Sequence, residues 1–408
     1  MWPYGQFDSP VIKRMGGNAI KKDGKSICGR LPKAQYEIVR KFVLSVLRKH
    51  FICEIVLELP GKESFGDMDV LYNGGDAAKI VDMSYFVKNY FEVSDSTHIF
   101  KNGYVLSFAL DCSKFFDTSY LETKYFQIDL LCMESTESIE MARFYFAYGD
   151  FGSLIGRMAN YYGLKFGERG LWCDVYEQTV KPTLPFDVRK TLGKVFLSSN
   201  PRNICDFFGY DYDSWKDEIP KLTDPEFLAN YAPKLDENCE IFPDIPKSYK
   251  FIFDWLISSR FFDDKMFLFL NTEHRSRQEK RPFYKSFLEY LGIYEVSHAS
   301  VTGGESGGVH RNRQSEAIHY FKKTDDLEIL LKDLDRKNNH QSKFSGSHLI
   351  ACYKDRSGIE LENKVVGLKI SLFKKFCTEK SKCNNWEDFL DKNDKSVVDE
   401  YLREFVTK

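Results

Sequence analysis

The chain has no pair of cysteines spaced as CxxC, although it contains ten cysteines in 408 residues. Its eight histidines likewise show no spacing typical of a metal site. The segment Met1 to Gln6 lacks the basic and then apolar pattern of a signal peptide. We therefore expect reduced thiols in a cytosolic or nuclear compartment.

A strong net charge and a long hydrophobic run are also absent. The formal charge of −2 gives no global argument for nucleic-acid binding, so any basic surface must be local. No apolar run approaches the roughly 20 residues that cross a bilayer, so we expect a soluble protein with no membrane partner. The chain does have 43% hydrophobic and 15% aromatic residues, enough for well-buried cores in two or three domains.

A glycine turn and two aspartates lie between two apolar runs in the first quarter of the chain. The runs are Phe51 to Leu59, before the turn, and Val70 to Tyr72, after it. Because side chains alternate along a strand, Asp67 and Asp69 should point to the same face. Two carboxylates on one face, next to a glycine turn, are suited to hold a divalent cation against phosphates.

A third aspartate lies within a later apolar run, Tyr125 to Cys132. In this predicted strand Phe126, Ile128 and Leu130 share one face, and Asp129 lies on the other. A carboxylate among apolar neighbours is costly unless it is paired or bound to a metal. Asp129 is therefore the candidate third ligand, and an all-oxygen ligand set favours Mg²⁺ or Mn²⁺ over zinc.

The remaining patterns predict an α+β protein. An amphipathic helix follows Pro32, another helix spans Ala77 to Phe91, and Asn102-Gly103 predicts a two-residue hairpin turn. A helix from Asp150 to Tyr162 carries Ser153 and Arg157 on its polar side. We predict an N-terminal segment and helix (1–50), a mixed-sheet domain (51–190) and a mainly helical region (191–408).

The densest basic stretch lies in the predicted helical region, from His274 to Arg281. It gives four candidate nucleic-acid-binding side chains, although an exposed charged helix would show the same pattern. These candidates are Arg275, Arg277, Lys280 and Arg281.

The stretch from Gly61 to Leu71 resembles the signature of the DNA polymerase β superfamily of nucleotidyltransferases. That signature pairs a glycine turn and Asp-x-Asp with a third aspartate on a later strand, to which Gln127 to Leu130 is similar. The segment Tyr145 to Asp150 and the helix with Arg157 lie where the superfamily has a Tyr-Phe-x-Gly segment and a nucleotide-facing helix. Met15 to Ala19 also looks like the start of phage- and virus-type nucleotidyltransferases.

The resemblance implies a palm-type mixed sheet in which Asp67, Asp69 and Asp129 are catalytic and hold two Mg²⁺ or Mn²⁺ ions. It implies transfer of a nucleotide from an NTP to a 3′ hydroxyl, with an RNA end, tRNA-like or other, as the favoured partner. A protein or small-molecule hydroxyl is an alternative acceptor, and a catalytically weakened scaffold is an alternative role. A viral relative would act in the host cytoplasm or nucleus.

One part of the superfamily pattern is missing. A Gly-Ser pair that binds triphosphate usually lies about ten residues before Asp-x-Asp, where this chain has Val56 and Leu57. The resemblance then leaves phosphate binding to other side chains, and weakened activity is the alternative. The candidates are Lys62, Ser64, Gly66, Ser153 and Arg157.

Overall fold

The computed structural model describes residues 18–73, 82–176, 191–223, 246–267, 281–294, 310–357 and 363–407. The chain forms two compact units, Met1–Phe321 and Lys322–Lys408. The first is mixed α/β and the second, where described, is helical. The expected combination of a mixed sheet and a helical C-terminal region is thus confirmed.

The described strands belong to the first unit and form a five-stranded sheet, a three-stranded sheet and two short pairs. They are β1 (Lys21–Lys22), β2 (Lys25–Ser26), β3 (Leu31–Pro32), β4 (Ile52–Ile55), β5 (Ser64–Phe65), β6 (Asp67–Asn73), β7 (Ile99–Asn102), β8 (Val105–Asp111), β9 (Tyr125–Cys132), β10 (Leu164–Gly167), β11 (Gly170–Tyr176) and β12 (Thr191–Ser198).

The described α-helices divide between the two units. The first unit contains α1 (Lys33–Leu47), α2 (Met83–Tyr90), α3 (Thr136–Phe146), α4 (Phe151–Tyr161), α5 (Pro201–Phe208), α6 (Lys247–Ile257), α7 (Pro282–Tyr290) and α8 (His310–Tyr320). The second contains α9 (Thr324–Lys343), α10 (Gly346–Ser357), α11 (Asn363–Ser381), α12 (Trp386–Lys392) and α13 (Lys395–Thr407). In the described segments, no helix has both the length and the hydrophobicity to cross a membrane.

The five-stranded sheet is mixed because one of its strand pairs is parallel. Its order is β4-β6-β9-β8-β7, in which β6 and β9 run parallel and the other neighbours run antiparallel. The parallel pair lies inside the sheet, so both of its strands are bonded on two sides. Such strands are positioned more rigidly than edge strands.

Helices cover the two faces of this sheet. On one face α1 and α2 bury their apolar sides in a core with alternate residues of the strands, such as Val70, Ile128 and Leu130. On the other face Ile139 and Ala142 of α3 pack in a smaller cluster. Leu71 and Leu131, toward the carboxyl ends of β6 and β9, also belong to that cluster. The start of β6 on this second face is left to polar side chains.

The three-stranded sheet joins segments on both sides of residue 190. Strand β11 pairs antiparallel with β10 and with β12, which follows the boundary predicted at that residue. The compact units, in contrast, divide after Phe321. The boundaries after residues 50 and 190 therefore remain a prediction about the parts of the first unit.

The second unit has an apolar core built from its own helices. Phe373, Phe389 and Leu402 are buried there together with Leu349 and Cys377. At its surface Arg336 donates from Nε and Nη2 to the two carboxylate oxygens of Asp391, at 3.1 and 2.5 Å. Such a two-pronged ion pair connects α9 with α12.

Two elements are placed differently from the sequence prediction. Strand β4 ends at Ile55, so residues 56–59, three of which are apolar, do not belong to it; Val56 packs in the cluster with α3. The hairpin turn lies one residue later than predicted, because Asn102 pairs with Val105 and leaves Gly103, at φ +61°, as the first turn residue. Glycine readily adopts this angle at the first position of a tight turn.

The second predicted helix agrees only in part. Its described portion, α2, begins after Asp82, which caps it by accepting from Ser84 N–H at 2.9 Å. Residues 77–81 lie outside the described ranges. Within this helix Phe86 is buried, whereas Tyr85 and Tyr90 are 66% and 48% exposed.

Replacement of Gly152 by alanine should destabilise the first unit. A Cβ at this position in α4 would lie 2.0 Å from the carbonyl oxygen of Tyr145 in α3. We expect Gly152→Ala to lower the free energy of unfolding by about 1–3 kcal/mol, since backbone must move to relieve the clash. Denaturant unfolding monitored by circular dichroism measures this change.

Gly156 provides the matched control in the same helix. There a Cβ would meet its nearest neighbour, the carbonyl oxygen of Phe166, at an ordinary 3.7 Å. Gly156→Ala should be neutral or stabilising by at most about 1 kcal/mol, because alanine favours the helix. Equal destabilisation by both substitutions would contradict the packing argument.

Candidate active site

The parallel pairing of β6 and β9 brings together the three aspartates identified in the sequence. Asp69 is directly opposite Asp129, and Asp67 is opposite Gln127. The neighbouring residues Met68, Ile128 and Leu130 lie in the core on the other face, so these four polar side chains share the second face. The predicted alternation along both strands is confirmed.

Asp129 is held by neighbours that sequence reasoning missed. It is 2% exposed, and Gln127 donates from Nε2 to its Oδ1 and Oδ2 at 3.1 and 2.9 Å. The amide oxygen of Gln127 in turn accepts from Ala19 N–H at 2.9 Å. Ser107, opposite Asp129 on β8, is also hydrogen-bonded to it. The i−2 spacing of Gln127 was the available sequence signal for this contact.

The electrostatics of the site disfavour ionisation of two of the aspartates. Burial, followed by the charges of Asp67 and Asp129, raises the pKa of Asp69 well above its ordinary value. Burial also raises the pKa of Asp129 to about 6, against hydrogen bonds from Ser107 and Gln127 that lower it. Carboxylates this close repel each other unless a proton or a cation lies between them.

The donor chemistry fits a hard divalent cation, although the ligands are not preassembled. The Oδ1 atom of Asp69 is buried and has no hydrogen-bond partner in the part of the chain that the structure describes, and a cation would satisfy it. Among the described residues, however, no group of three or more His, Cys, Asp and Glu side chains is arranged to hold a metal ion. The aspartates share a face, but their carboxylates do not converge on one point.

In the glycine turn, Lys62 is already paired. Its ammonium group donates to Glu58 Oε2 and lies 4.9 Å from the centroid of the Phe65 ring. Burial raises the pKa of Glu58, while Lys62 lowers it. The same ammonium group lowers the pKa of Asp69, so Lys62 lies close enough to influence the acidic site.

Arg30, which sequence reasoning missed, lies against the predicted phosphate turn. Its Nε donates to Ser64 Oγ at 2.9 Å and its Nη2 to the Ser64 carbonyl oxygen at 2.6 Å. A Cβ at residue 66 would lie 3.0 Å from Arg30 Nη1, so Gly66 allows this close approach. The arginine comes from the glycine- and lysine-rich opening segment, and its composition gave no signal for this position.

Arg281, a candidate for nucleic-acid binding, and Ser153, a candidate for phosphate binding, lie next to each other at α4. Arg281 donates from Nη1 to Asp150 Oδ1 at 2.8 Å and lies 3.2 Å from Ser153 Oγ. Arg157 Nε donates to the carbonyl oxygen of Met266 at 2.7 Å, which ties α4 to the turn at 264–267. Arg275, Arg277 and Lys280 lie outside the described residues.

Two tyrosines interact with the charges of these groups: Tyr104 with Asp69, and Tyr145 with Arg281 and Asp150. Burial raises the pKa of Tyr104, and the charge of Asp69 adds to that shift. Burial raises the pKa of Tyr145 to about 12, with Glu168 adding to the shift and Arg281 opposing it. Both rings are partly exposed. Tyr104 is therefore close enough to Asp69, and Tyr145 to the partly exposed ion pair of Arg281 with Asp150, for their charges to interact.

Substitution of Asp69 by asparagine should stabilise the protein at alkaline pH in the absence of divalent cations. Because the folded state raises the pKa of this carboxyl group, its contribution to stability is full below the ordinary value of 3.8 and is lost as pH rises through the raised pKa. We expect Asp69→Asn to unfold at a higher temperature than the native protein at pH 8 in EDTA. The difference should shrink toward pH 4, as thermal melts across this range would measure.

An exposed aspartate, whose pKa is shifted in the opposite direction, serves as the control for the effect of Asp69→Asn on the unfolding temperature. Arg202 holds the pKa of Asp213 below its ordinary value through a hydrogen bond. Asp213→Asn should therefore give no gain in unfolding temperature at pH 8. A lower melting temperature for Asp69→Asn than for the native protein at pH 8 would refute the proposed repulsion.

Comparison with known proteins does not assign a function to this arrangement of side chains. No family model matches the chain, and no curated protein matches it. The residues on β6 and β9, and the likeness of Gly61 to Leu71 to the nucleotidyltransferase signature, are therefore the basis for assigning a function.

Proposed function

We propose that the protein is a metal-dependent nucleotidyltransferase with a palm-type sheet, which moves a nucleotide from an NTP to a 3′ hydroxyl. The observation that carries the proposal is the register that sets Asp69 beside Asp129, with Asp69 Oδ1 buried and unpartnered. Evolution rarely keeps such costly groups without a use, and perturbed carboxylates cluster at functional sites.

In this proposal Asp67, Asp69 and Asp129 hold Mg²⁺ or Mn²⁺. When bound, such ions neutralise the triphosphate and make a hydroxyl more acidic. The ligands come from two neighbouring strands inside the sheet, which favours a constant spacing between them. Burial and then repulsion between the carboxylates raise the pKa of Asp69 and Asp129, and the relief of that repulsion favours cation binding.

Asp129 is the proposed proton acceptor. The acceptor hydroxyl loses its proton to a carboxylate oxygen of Asp129, and its oxygen attacks the α-phosphorus of the NTP. The bond from that phosphorus to the bridging oxygen breaks, and pyrophosphate leaves with the electron pair. Burial raises the pKa of Asp129, which makes its carboxylate a better proton acceptor than an exposed aspartate. Gln127 and Ser107 orient it.

The phosphates are proposed to bind at the glycine turn, with Arg30 in place of the missing Gly-Ser pair. The guanidinium of Arg30 is exposed and lies over Ser64 and Gly66, one residue from Asp67. Planar guanidinium groups bind phosphate oxygens in pairs. Lys62, paired with Glu58, is the secondary candidate.

The proposed acceptor is an RNA end. Tyr104 and Tyr145 offer partly exposed rings next to the acidic face, and aromatic rings stack on bases without regard to sequence. Arg281 and Ser153 lie beyond Tyr145, where a backbone phosphate could compete with Asp150 for the guanidinium. Basic residues 275, 277 and 280 are further candidates for this interaction.

Transfer of labelled nucleotide tests the proposal directly. Purified protein is incubated with each labelled NTP, Mg²⁺ or Mn²⁺, and an RNA pool, a DNA pool or neither. We expect labelled RNA, and a loss of roughly two to three orders of magnitude in rate for the double variant Asp67→Ala, Asp69→Ala, because charge stabilisation is lost. Asp117→Ala, an exposed aspartate outside the site, should keep full activity.

The products also distinguish the acceptors. Label on the protein itself, or on a small molecule when no nucleic acid is added, would replace RNA as the acceptor while keeping the chemistry. An unchanged product from the double variant would refute the role of the aspartates. No product with any NTP, together with no metal-dependent thermal shift, would favour a non-catalytic scaffold.

Replacement of Arg30 should weaken NTP binding. We expect Arg30→Gln to raise the KM for the NTP about tenfold while changing kcat less, because the side chain contacts phosphate rather than the reacting hydroxyl. Arg30→Lys should recover part of the affinity, and Lys21→Gln, exposed on β1, serves as the control. An unchanged KM for Arg30→Gln would return phosphate binding to Lys62.

A further inference from the structure

A cavity of about 520 Å³ lies at the β4 edge of the five-stranded sheet. Its wall is formed by one side of α1, by the segment from Glu54 to Lys62, and by Arg143 and Tyr148 at the end of α3. Ile219 and Pro220 contribute apolar surface. The volume falls in the range of small-molecule sites, and none of the three site aspartates lines it.

The lining has an excess of positive charge, with five basic and three acidic side chains. Two of the acidic groups are already paired: Glu37 Oε2 lies 3.1 Å from Arg40 Nε, and Glu58 binds Lys62. Glu54 has no ion pair among the described residues. Two of the three acidic side chains in the lining are thus already in ion pairs. Because basic side chains outnumber acidic ones, the cavity favours an anion.

Arg143 is a lining residue whose hydrogen-bond donors an anion would satisfy. Its Nε is buried without a hydrogen-bond partner, and within the described ranges no ion pair includes it. The residue as a whole is only partly buried, but a guanidinium N–H that is shielded from water and has no acceptor is destabilising. The cost is removed if a ligand supplies the negative group.

Tyr148 adds a second unsatisfied donor close to Arg143. It is 1% exposed, and its hydroxyl has no hydrogen-bond partner among the described residues. Burial raises the pKa of Tyr148, against the charge of Arg143, which lowers it. Its backbone is fixed at φ +53° and its N–H donates to the carbonyl oxygen of Leu57 at 2.7 Å. A tyrosine at a positive φ has a strained backbone. Such strained residues cluster at ligand sites, where the backbone conformation sets the direction of a functional side chain.

We propose that this cavity is a second ligand site, separate from the aspartates, for a phosphate-bearing small molecule of nucleotide size. The phosphate binds Arg143 and the hydroxyl of Tyr148, because planar guanidinium groups and hydroxyls are good donors to phosphate oxygens. Glu54 accepts hydrogen bonds from the hydroxyl or amino groups of the rest of the ligand. The inference does not depend on nucleotidyl transfer.

Calorimetric titration with inorganic phosphate and with AMP, in EDTA, tests this site on the full chain. We expect AMP to bind more tightly than phosphate, since the cavity is larger than a phosphate ion. Arg143→Gln should weaken AMP binding about tenfold or more, and Tyr148→Phe by a smaller factor. Lys41→Gln, exposed on α1 outside the cavity, should leave it unchanged.

The double variant Asp67→Asn, Asp69→Asn separates the two sites and should bind AMP in EDTA as tightly as the native chain. Loss of binding in that variant, with retention in Arg143→Gln, would assign the phosphate to the acidic site and overturn the proposal. Absence of AMP binding to the native chain, or equal affinity for citrate, would also overturn it.

A second readout guards against misfolding of the variants. In phosphate-free buffer Arg143→Gln should melt at a higher temperature than the native chain, because it removes a buried Nε donor that has no acceptor among the described residues. With AMP present the native chain should gain melting temperature and Arg143→Gln should not. Equal gains in both would refute the role of Arg143, and Tyr148→Phe repeats the comparison if Arg143→Gln does not fold.

Discussion

The parallel pairing of β6 with β9 is the constraint on which the rest of the site depends. It sets Asp69 beside Asp129 at the interior of the sheet, where burial raises the pKa of both groups. Neither backbone position can move away from the other without breaking strand hydrogen bonds. The protein therefore keeps a repulsive pair in place through backbone geometry, and side chains such as Gln127 and Ser107 only adjust it.

Apolar packing on the opposite face of the sheet offsets the unfavourable free energy of this carboxylate pair. The same strands bury Met68, Val70, Ile128 and Leu130 under α1 and α2, and each fully buried side chain contributes about 1.5–3 kcal/mol. One face of the strands thus stabilises the fold while the other holds charge. This division follows from the two-residue period of a strand, so a one-residue slip would lose both functions at once.

The local patterns and the grouping of the three aspartates could be predicted from the sequence, and the other long-range contacts could not. Alternation around Asp67, Asp69 and Asp129 identified strands and faces, because each signal lies within a few neighbouring residues. Strand β4 was predicted too long because Leu57 and Leu59 are apolar, although they line the cavity rather than continue the sheet. Arg30, the Arg281 and Asp150 pair, and the cavity all depend on segments remote in sequence, whose meeting no local pattern records.

The connection between β6 and β9 has a consequence for the order of folding. Roughly 50 residues separate the two strands, so their pairing must close a long loop and be compensated by later contacts. The β7–β8 hairpin, with its tight turn, can form first and offer β8 as a template for β9. The acidic residues would then become neighbours in one of the last steps, after the core that tolerates them is in place.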